Sequence, residues 1–290
     1  MVALYDSIGV PARMVMVRTN DLGPVSNETA VLEIFNHAIA YLPEDNLWLD
    51  GTATGHAPYP PPTGDQNAVV LVVDGAQSRL QNTPAAGGGL ARSRYSLSPG
   101  EEGAVKVAIR VDDTGEAADL RRVRFAGSRE DQRVSRWLQE QFPGAQLTDK
   151  PKLQLRPGRD PTIMEIEGMV ARSALESSGG IRIFPGSLDW AASMVPGGAR
   201  HGPLMVAVRP DLEWTLDVDL GRPPGNLPES VDLDTPFGSL RVETHAQAQG
   251  YRVEGLLHLE PGLVEAAEVG DMREFLVVVE RHLGRRLESP

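Results

Sequence analysis

Alternating apolar and polar residues in the C-terminal two thirds of the chain constrain the fold more than any other feature. Successive side chains of a strand point to opposite faces, so an alternation of period two gives one buried face and one face that meets water. Such alternation runs through residues 104–111, 215–220, 240–244 and 251–259. We therefore expect either one half-buried antiparallel sheet or a sandwich of two such sheets.

Two helices are expected to interrupt these strands. Residues 128–142 begin with Ser128, which is suited to cap a helix, and apolar residues follow at helical spacing. A second helix near the C-terminus has Asp271 as its expected cap. Strands combined with a few helices predict an α+β fold. The apolar stripe of the last helix comprises Met272, Phe275, Leu276, Val279 and Leu283.

The N-terminal quarter contains a predicted β-hairpin. One strand carries His37, residues 43–46 form a turn, and a short second strand leads to Asp50, thirteen positions after the histidine. Neighbouring strands would bring the carboxylate within reach of the imidazole. An aspartate that accepts a hydrogen bond from one ring nitrogen fixes the tautomer and leaves the other nitrogen free to take a proton. His37 is therefore a candidate general base, and Asp50 is its orienting partner.

A proline-rich segment follows this hairpin. Proline fixes φ and lacks an amide donor, so residues 56–67 cannot form a regular helix or a central strand. We expect a loop that wraps near the predicted site. Residues 68–73 then read as a buried strand that closes the core.

These N-terminal residues resemble the bacterial transglutaminase-like proteins of the papain-type superfamily. In particular they resemble the large DUF3857-type proteins, in which a transglutaminase core sits between β-rich domains. The resemblance rests on residues 4–13, the strand at residues 14–19, the Asn36-His37 strand and residues 48–52.

The resemblance implies a catalytic triad with the chain order Cys, His, Asp. His37 and Asp50 match the second and third members. Asn36 and Trp48 are implied as supporting residues, and Trp48 matches the aromatic residue that commonly precedes the aspartate. The nucleophile would fall upstream of Met1, and the chain contains no cysteine.

The domain organisation also follows from the resemblance. Residues 1–75 are expected to form a partial transglutaminase-like core of antiparallel strands, and residues 76–98 a linker. Residues 99–290 are expected to form a mainly antiparallel β-rich domain, with a break near residues 145–160 if it contains two subdomains.

Two classes of function are consistent with this sequence. The first is a remnant of a core for papain-type acyl transfer or amide hydrolysis, inactive as this chain because the thiol is absent. Ser7 and Ser26 lack the Gly-x-Ser-x-Gly context of a serine nucleophile. The implied partners are a protein or peptide substrate and a partner chain that supplies the cysteine-bearing helix. The second class is a non-catalytic β-rich binding or structural module.

Composition excludes other classes and bears on location. The net charge of −12 and the pI near 5.0 argue against nonspecific nucleic-acid binding, which needs a basic surface. No apolar stretch approaches the roughly 20 residues of a membrane-spanning helix. Without a visible signal peptide, a complete chain is expected in the cytoplasm. As part of a longer exported protein it would lie in the periplasm or envelope.

The remaining histidines give no metal-binding pattern. They lack the i, i+4 spacing and the Cys/His spacing of zinc sites, and His56 is expected to be an exposed loop residue. The sequence therefore predicts neither a metal site nor a cofactor. The others are His201, His245, His258 and His282.

Overall fold

A five-stranded antiparallel sheet is formed by the N-terminal part of the chain. The structure is a computed structural model that describes residues 1–23, 31–156, 158, 161–186, 189–195 and 202–290. The spatial order of the strands is β3-β2-β1-β4-β5. These strands are β1 (Arg13–Arg18), β2 (His37–Leu42), β3 (Leu47–Leu49), β4 (Val69–Val73) and β5 (Arg79–Asn82).

The predicted hairpin is formed by β2 and β3, with Ala40 opposite Leu49. The central strands β1 and β4 are apolar along most of their length, and alternate residues, Val15 and Val17 in β1 and Val70 and Val72 in β4, are buried on one face. On that face Tyr41 and Trp48 stack with their ring centroids 4.2 Å apart. A short helix, α1 (Val2–Ser7), packs against a smaller apolar cluster that includes Leu49. The hairpin that carries His37 is thus held by packing on both of its strands.

The second sheet has nine strands. Their order is β14-β15-β16-β13-β6-β7-β10-β8, and β9 also pairs with β10. All of its pairings are antiparallel except that between β6 and β13. The strands are β6 (Leu90–Pro99), β7 (Ala104–Asp113), β8 (Gln146–Leu147), β9 (Lys152–Gln154), β10 (Thr162–Ala171), β13 (Asp211–Asp219), β14 (Val231–Thr235), β15 (Gly238–Gln247) and β16 (Gly250–Leu259).

The described chain is therefore α+β, as predicted, and its C-terminal part is built on one continuous sheet. Residues 76–98, predicted as a linker, hold β5 and nearly all of β6. Residues 145–160, predicted as a subdomain break, hold β8 and β9, which both pair with β10.

Two small antiparallel strand pairs lie outside the two sheets. Strand β11 (Ile181–Arg182) pairs with β18 (Arg286–Leu287), and β12 (Leu204–Val206) pairs with β17 (Gly262–Val264).

The two predicted helices are present, but their caps differ from the prediction. The first of them begins after Arg129, which has a left-handed φ of 69° and occupies the cap position expected for Ser128. The second begins after Glu268, so Asp271 lies in its first turn instead of capping it. The helices after α1 are α2 (Gly115–Phe125), α3 (Glu130–Gln141), α4 (Arg172–Ser177), α5 (Trp190–Met194) and α6 (Val269–Leu283).

Helix α2 connects the two sheets. It follows β7 of the large sheet, and its Glu116 and Asp119 accept hydrogen bonds from the proline-rich loop beside the small sheet. The loop is thus fixed in place by residues distant in sequence. Among the described residues, no helix combines the length and apolar character needed to cross a bilayer.

Candidate functional site

His37 and Asp50 are in contact at one edge of the small sheet. His37 begins β2, and Asp50 directly follows β3. The Nε2 atom of His37 lies 3.3 Å from Oδ2 of Asp50. The other carboxylate oxygen, Oδ1, accepts bonds from the amide and the hydroxyl of Thr52, each at 2.8 Å. Asp50 is therefore held in one orientation by the turn that follows it, and its free oxygen faces the imidazole.

A second carboxylate, that of Asp65, approaches the same imidazole nitrogen. Asp65 ends a short 3₁₀ helix (Thr63–Asp65) in the proline-rich loop, and its Oδ2 lies 3.8 Å from His37 Nε2. Its side chain is only 3 % exposed. Burial raises the pKa of Asp65 to about 6; His37 opposes this rise, and the charges of Asp50 and Asp21 add to it.

The loop that carries Asp65 is anchored on both sides. The Thr83 hydroxyl donates to the Asp65 carbonyl, and the Asn20 side-chain amide donates to the Thr63 carbonyl at 2.7 Å. From the other side, Glu116 of α2 accepts bonds from the Thr63 amide at 3.0 Å and from its hydroxyl at 2.9 Å. These bonds fix Asp65 against His37 although 28 positions separate the two residues in sequence.

The two predicted supporting residues stabilise the hairpin. The Asn36 side chain accepts a bond from the Thr19 amide at 3.0 Å and donates to its hydroxyl at 2.8 Å, which joins the end of β1 to the start of β2. Trp48 is 1 % exposed and lies in the apolar core of the sheet. Both residues therefore position the strands that carry the site.

His56 differs from its prediction as an exposed loop residue. Its Nδ1 lies 3.3 Å from Oδ2 of Asp119, and its side chain is 17 % exposed. Asp119 in turn forms a buried ion pair with Arg122 on the same helix. His56 is partly buried because the proline-rich loop folds back onto α2, and this helix covers the histidine.

Ser7, one of the two serines weighed above as a replacement for the thiol, is engaged within α1. The Ser7 hydroxyl donates to the Leu4 carbonyl within α1 at 2.7 Å and is exposed. Ser26 and His201 lie outside the described residues.

A second group of acidic residues and histidine lies on the large sheet. Glu243 and Glu254 face each other across β15 and β16, and His245 lies on the same face as Glu243. His245 Nε2 is 3.5 Å from the Glu243 carboxylate, and both side chains are about half exposed. This exposure contrasts with the buried setting of Asp65.

Comparisons with known proteins place few limits on this site. No protein-family model matches the chain, and no curated protein matches it. A crystal structure of a candidate protease from Parabacteroides distasonis is similar, with a TM-score of 0.48 and 10% identity over 97% of this chain. This chain spans 40% of the length of that one. So distant a likeness carries no conclusion about activity.

Proposed function

We propose that His37 and Asp50 form the base-and-orienter half of a transglutaminase-like acyl-transfer site. The observation that carries the proposal is the 3.3 Å approach of His37 Nε2 to an Asp50 carboxylate that Thr52 holds in place. With the proton of Nε2 directed to Asp50, Nδ1 is the nitrogen left to exchange a proton with a nucleophile.

The chemistry requires a thiol, which this chain lacks. His37 would take the proton of a cysteine, and the resulting thiolate would attack the amide carbonyl of a glutamine or a peptide. The imidazolium would then protonate the leaving amine, and an amine or water would release the acyl group in a second step. As this chain, the site is expected to be inactive. A cysteine-bearing helix from upstream sequence or a partner chain would complete it.

A non-catalytic β-rich module is the second candidate. The absence of cysteine and the large nine-stranded sheet favour it. The two candidates differ in one respect, because only the first requires a thiol beside His37.

The first test is to read the coding DNA in frame upstream of Met1. A cysteine at the start of a helix there would allow the extended chain to be expressed and alkylated with iodoacetamide over a range of pH. We expect the thiol to titrate well below the free value of about 8.5 because it pairs with the imidazolium. His37→Gln should return it toward that value, whereas the exposed control His245→Gln should not.

Two outcomes would overturn the proposal. One is the absence of any in-frame cysteine together with purification of the chain without a thiol-bearing partner. The other is an upstream cysteine whose alkylation profile is unchanged by His37→Gln. Either result would leave the non-catalytic module as the function to assay.

A further inference from the structure

Three side chains that commonly ligate metals converge at the site. His37, Asp50 and Asp65 each offer one ligand atom, and these atoms all lie within 4.8 Å of one another. They come from three different places in the chain: the start of β2, the end of β3 and the proline-rich loop. The arrangement thus depends on the tertiary fold and does not arise from one acidic stretch of sequence.

The distances approach those of a coordination sphere. Ligand atoms about 2.0–2.2 Å from a tetrahedral Zn²⁺ lie roughly 3.3–3.6 Å from each other. His37 Nε2 is 3.3 Å from Asp50 Oδ2 and 3.8 Å from Asp65 Oδ2. Small side-chain rotations would therefore bring all three atoms onto one ion.

An independent observation points to a cation. The Oδ2 atom of Asp65 is buried and has no hydrogen-bond partner among the described residues. A buried carboxylate oxygen without a donor is costly, and a metal ion removes that cost. This oxygen lies 3.8 Å from His37 Nε2, within the group of three residues whose ligand atoms are all within 4.8 Å of one another.

The charges favour a divalent ion. Asp50 and Asp65 supply two carboxylates, and no lysine or arginine in the described part of the chain forms an ion pair with either. The imidazole nitrogen favours a transition metal over Ca²⁺, which takes six to eight oxygen ligands.

We propose that His37 Nε2, Asp50 Oδ2 and Asp65 Oδ2 bind a divalent transition metal ion of the Zn²⁺ or Mn²⁺ class. Three protein ligands leave at least one coordination position for water or a small ligand. The His37 side chain is 23 % exposed, so the ion has a route from solvent.

Metal binding and the acyl-transfer role exclude each other at His37. A metal on Nε2 replaces the hydrogen that this nitrogen would donate to Asp50 and leaves Nδ1 protonated, so the imidazole cannot act as a base. The metal site needs no thiol, so the titration described next tests it whether or not a cysteine is found upstream of Met1.

The test is calorimetric titration of the full chain, stripped with a chelator, with ZnCl₂ and with MnCl₂ at neutral pH. We expect one ion per chain, with Zn²⁺ bound more tightly than Mn²⁺. His37→Gln and Asp65→Asn should each weaken binding at least about tenfold, the lower end of the loss caused by removing even an outer-shell partner. His245→Gln should bind as the parent does, because its cluster is exposed and separate.

Unfolding temperatures measured in chelator show whether each variant still folds, and Asp50→Asn provides a third ligand variant if one does not. The ¹⁵N shift of His37 Nε2 reports its coordination directly.

Absence of saturable binding to the parent chain would overturn the proposal. Binding that is lost in His245→Gln and kept in His37→Gln would overturn it as well, and would assign the ion to the exposed cluster.

Discussion

The Tyr41–Trp48 stack joins the two strands of the hairpin by a side-chain contact. Trp48→Ala is expected to lower the free energy of unfolding by about 3–5 kcal/mol, the usual loss for a buried large aromatic side chain. Trp48→Phe should lose much less, because it keeps a ring against Tyr41 and removes an indole N–H that has no partner among the described residues. Urea titration of the two variants measures the difference. Equal losses would mean that the stack contributes little.

His258 supplies a pH-dependent contact on the large sheet. Its Nδ1 lies 2.7 Å from Asp211, and this hydrogen bond, with a second to Glu260, raises the pKa of His258. Because the folded pKa lies above the unfolded value of about 6.5, the stabilisation is complete below that pH and is lost as pH rises through the folded pKa. The effect should be small, since both side chains are substantially exposed.

Asp211→Asn is expected to lower the pKa of His258 toward its ordinary value and to reduce this pH dependence, since the contact with Glu260 remains. An NMR titration of the His258 ring protons in both proteins checks the shift. An unchanged midpoint would show that Glu260 alone sustains the raised pKa.

Sequence reasoning at the residue scale found two of the three side chains at the site. Hairpin spacing is local information, so the contact between His37 and Asp50 could be expected from the strand and turn pattern. Asp65 could not be found in this way. It lies in a Thr-Gly-Asp run that reads as an ordinary turn, and its position depends on bonds to Thr83 and Glu116 from distant parts of the chain.

At the level of elements, α2 holds the loop beside the site. Glu116→Ala removes both acceptors of Thr63 and should destabilise the loop locally by about 1.5–3 kcal/mol, the range for a hydrogen bond to a charged group. Hydrogen exchange of the Thr63 amide should accelerate accordingly. Glu140→Ala, which removes an exposed pair with Arg124, is the matched control and should leave that amide unchanged.

Close packing between strands β13 and β16 limits substitution at Gly255. A Cβ added there would lie 2.0 Å from the ring of Trp214, which is fully buried. Gly255→Ala should therefore destabilise the protein by about 1–3 kcal/mol or more through overpacking. Gly270→Ala in α6 meets open space and should be neutral or stabilising by up to about 1 kcal/mol. Thermal unfolding of both variants tests the contrast.

Helix α2 shows why the prediction of helices from the sequence was incomplete. Helices α3 and α6 display apolar stripes that the sequence reveals. Helix α2 buries Asp119 and Arg122 beside its alanines, so its buried face is partly charged and the apolar period is lost. Tertiary partners, among them His56 for Asp119 and the Arg156 carbonyl for Arg122, account for the burial of these residues.

For the whole molecule, alternation predicted strands but could not predict how they join. A period of two gives the same pattern whatever the direction of the neighbouring strand. The large sheet is in fact two antiparallel halves, β6-β7-β10-β8 and β14-β15-β16-β13, that meet at the one parallel pairing in the described sheet. That pairing joins residues 90–97 to residues 211–218, and Arg92 bridges it through two bonds to Glu213.

This parallel pairing has a consequence for the order of assembly. Each antiparallel half can form from contacts much closer in sequence, whereas the pairing of β6 with β13 must close a loop of more than a hundred residues, which is entropically slow. We expect each half to be largely formed in the folding transition state, while the pairing between β6 and β13 is not yet formed. Arg92→Leu should then leave the refolding rate nearly unchanged and speed unfolding, a low φ-value that stopped-flow kinetics can measure. The join between the halves would be the last part of the sheet to form and the first to open.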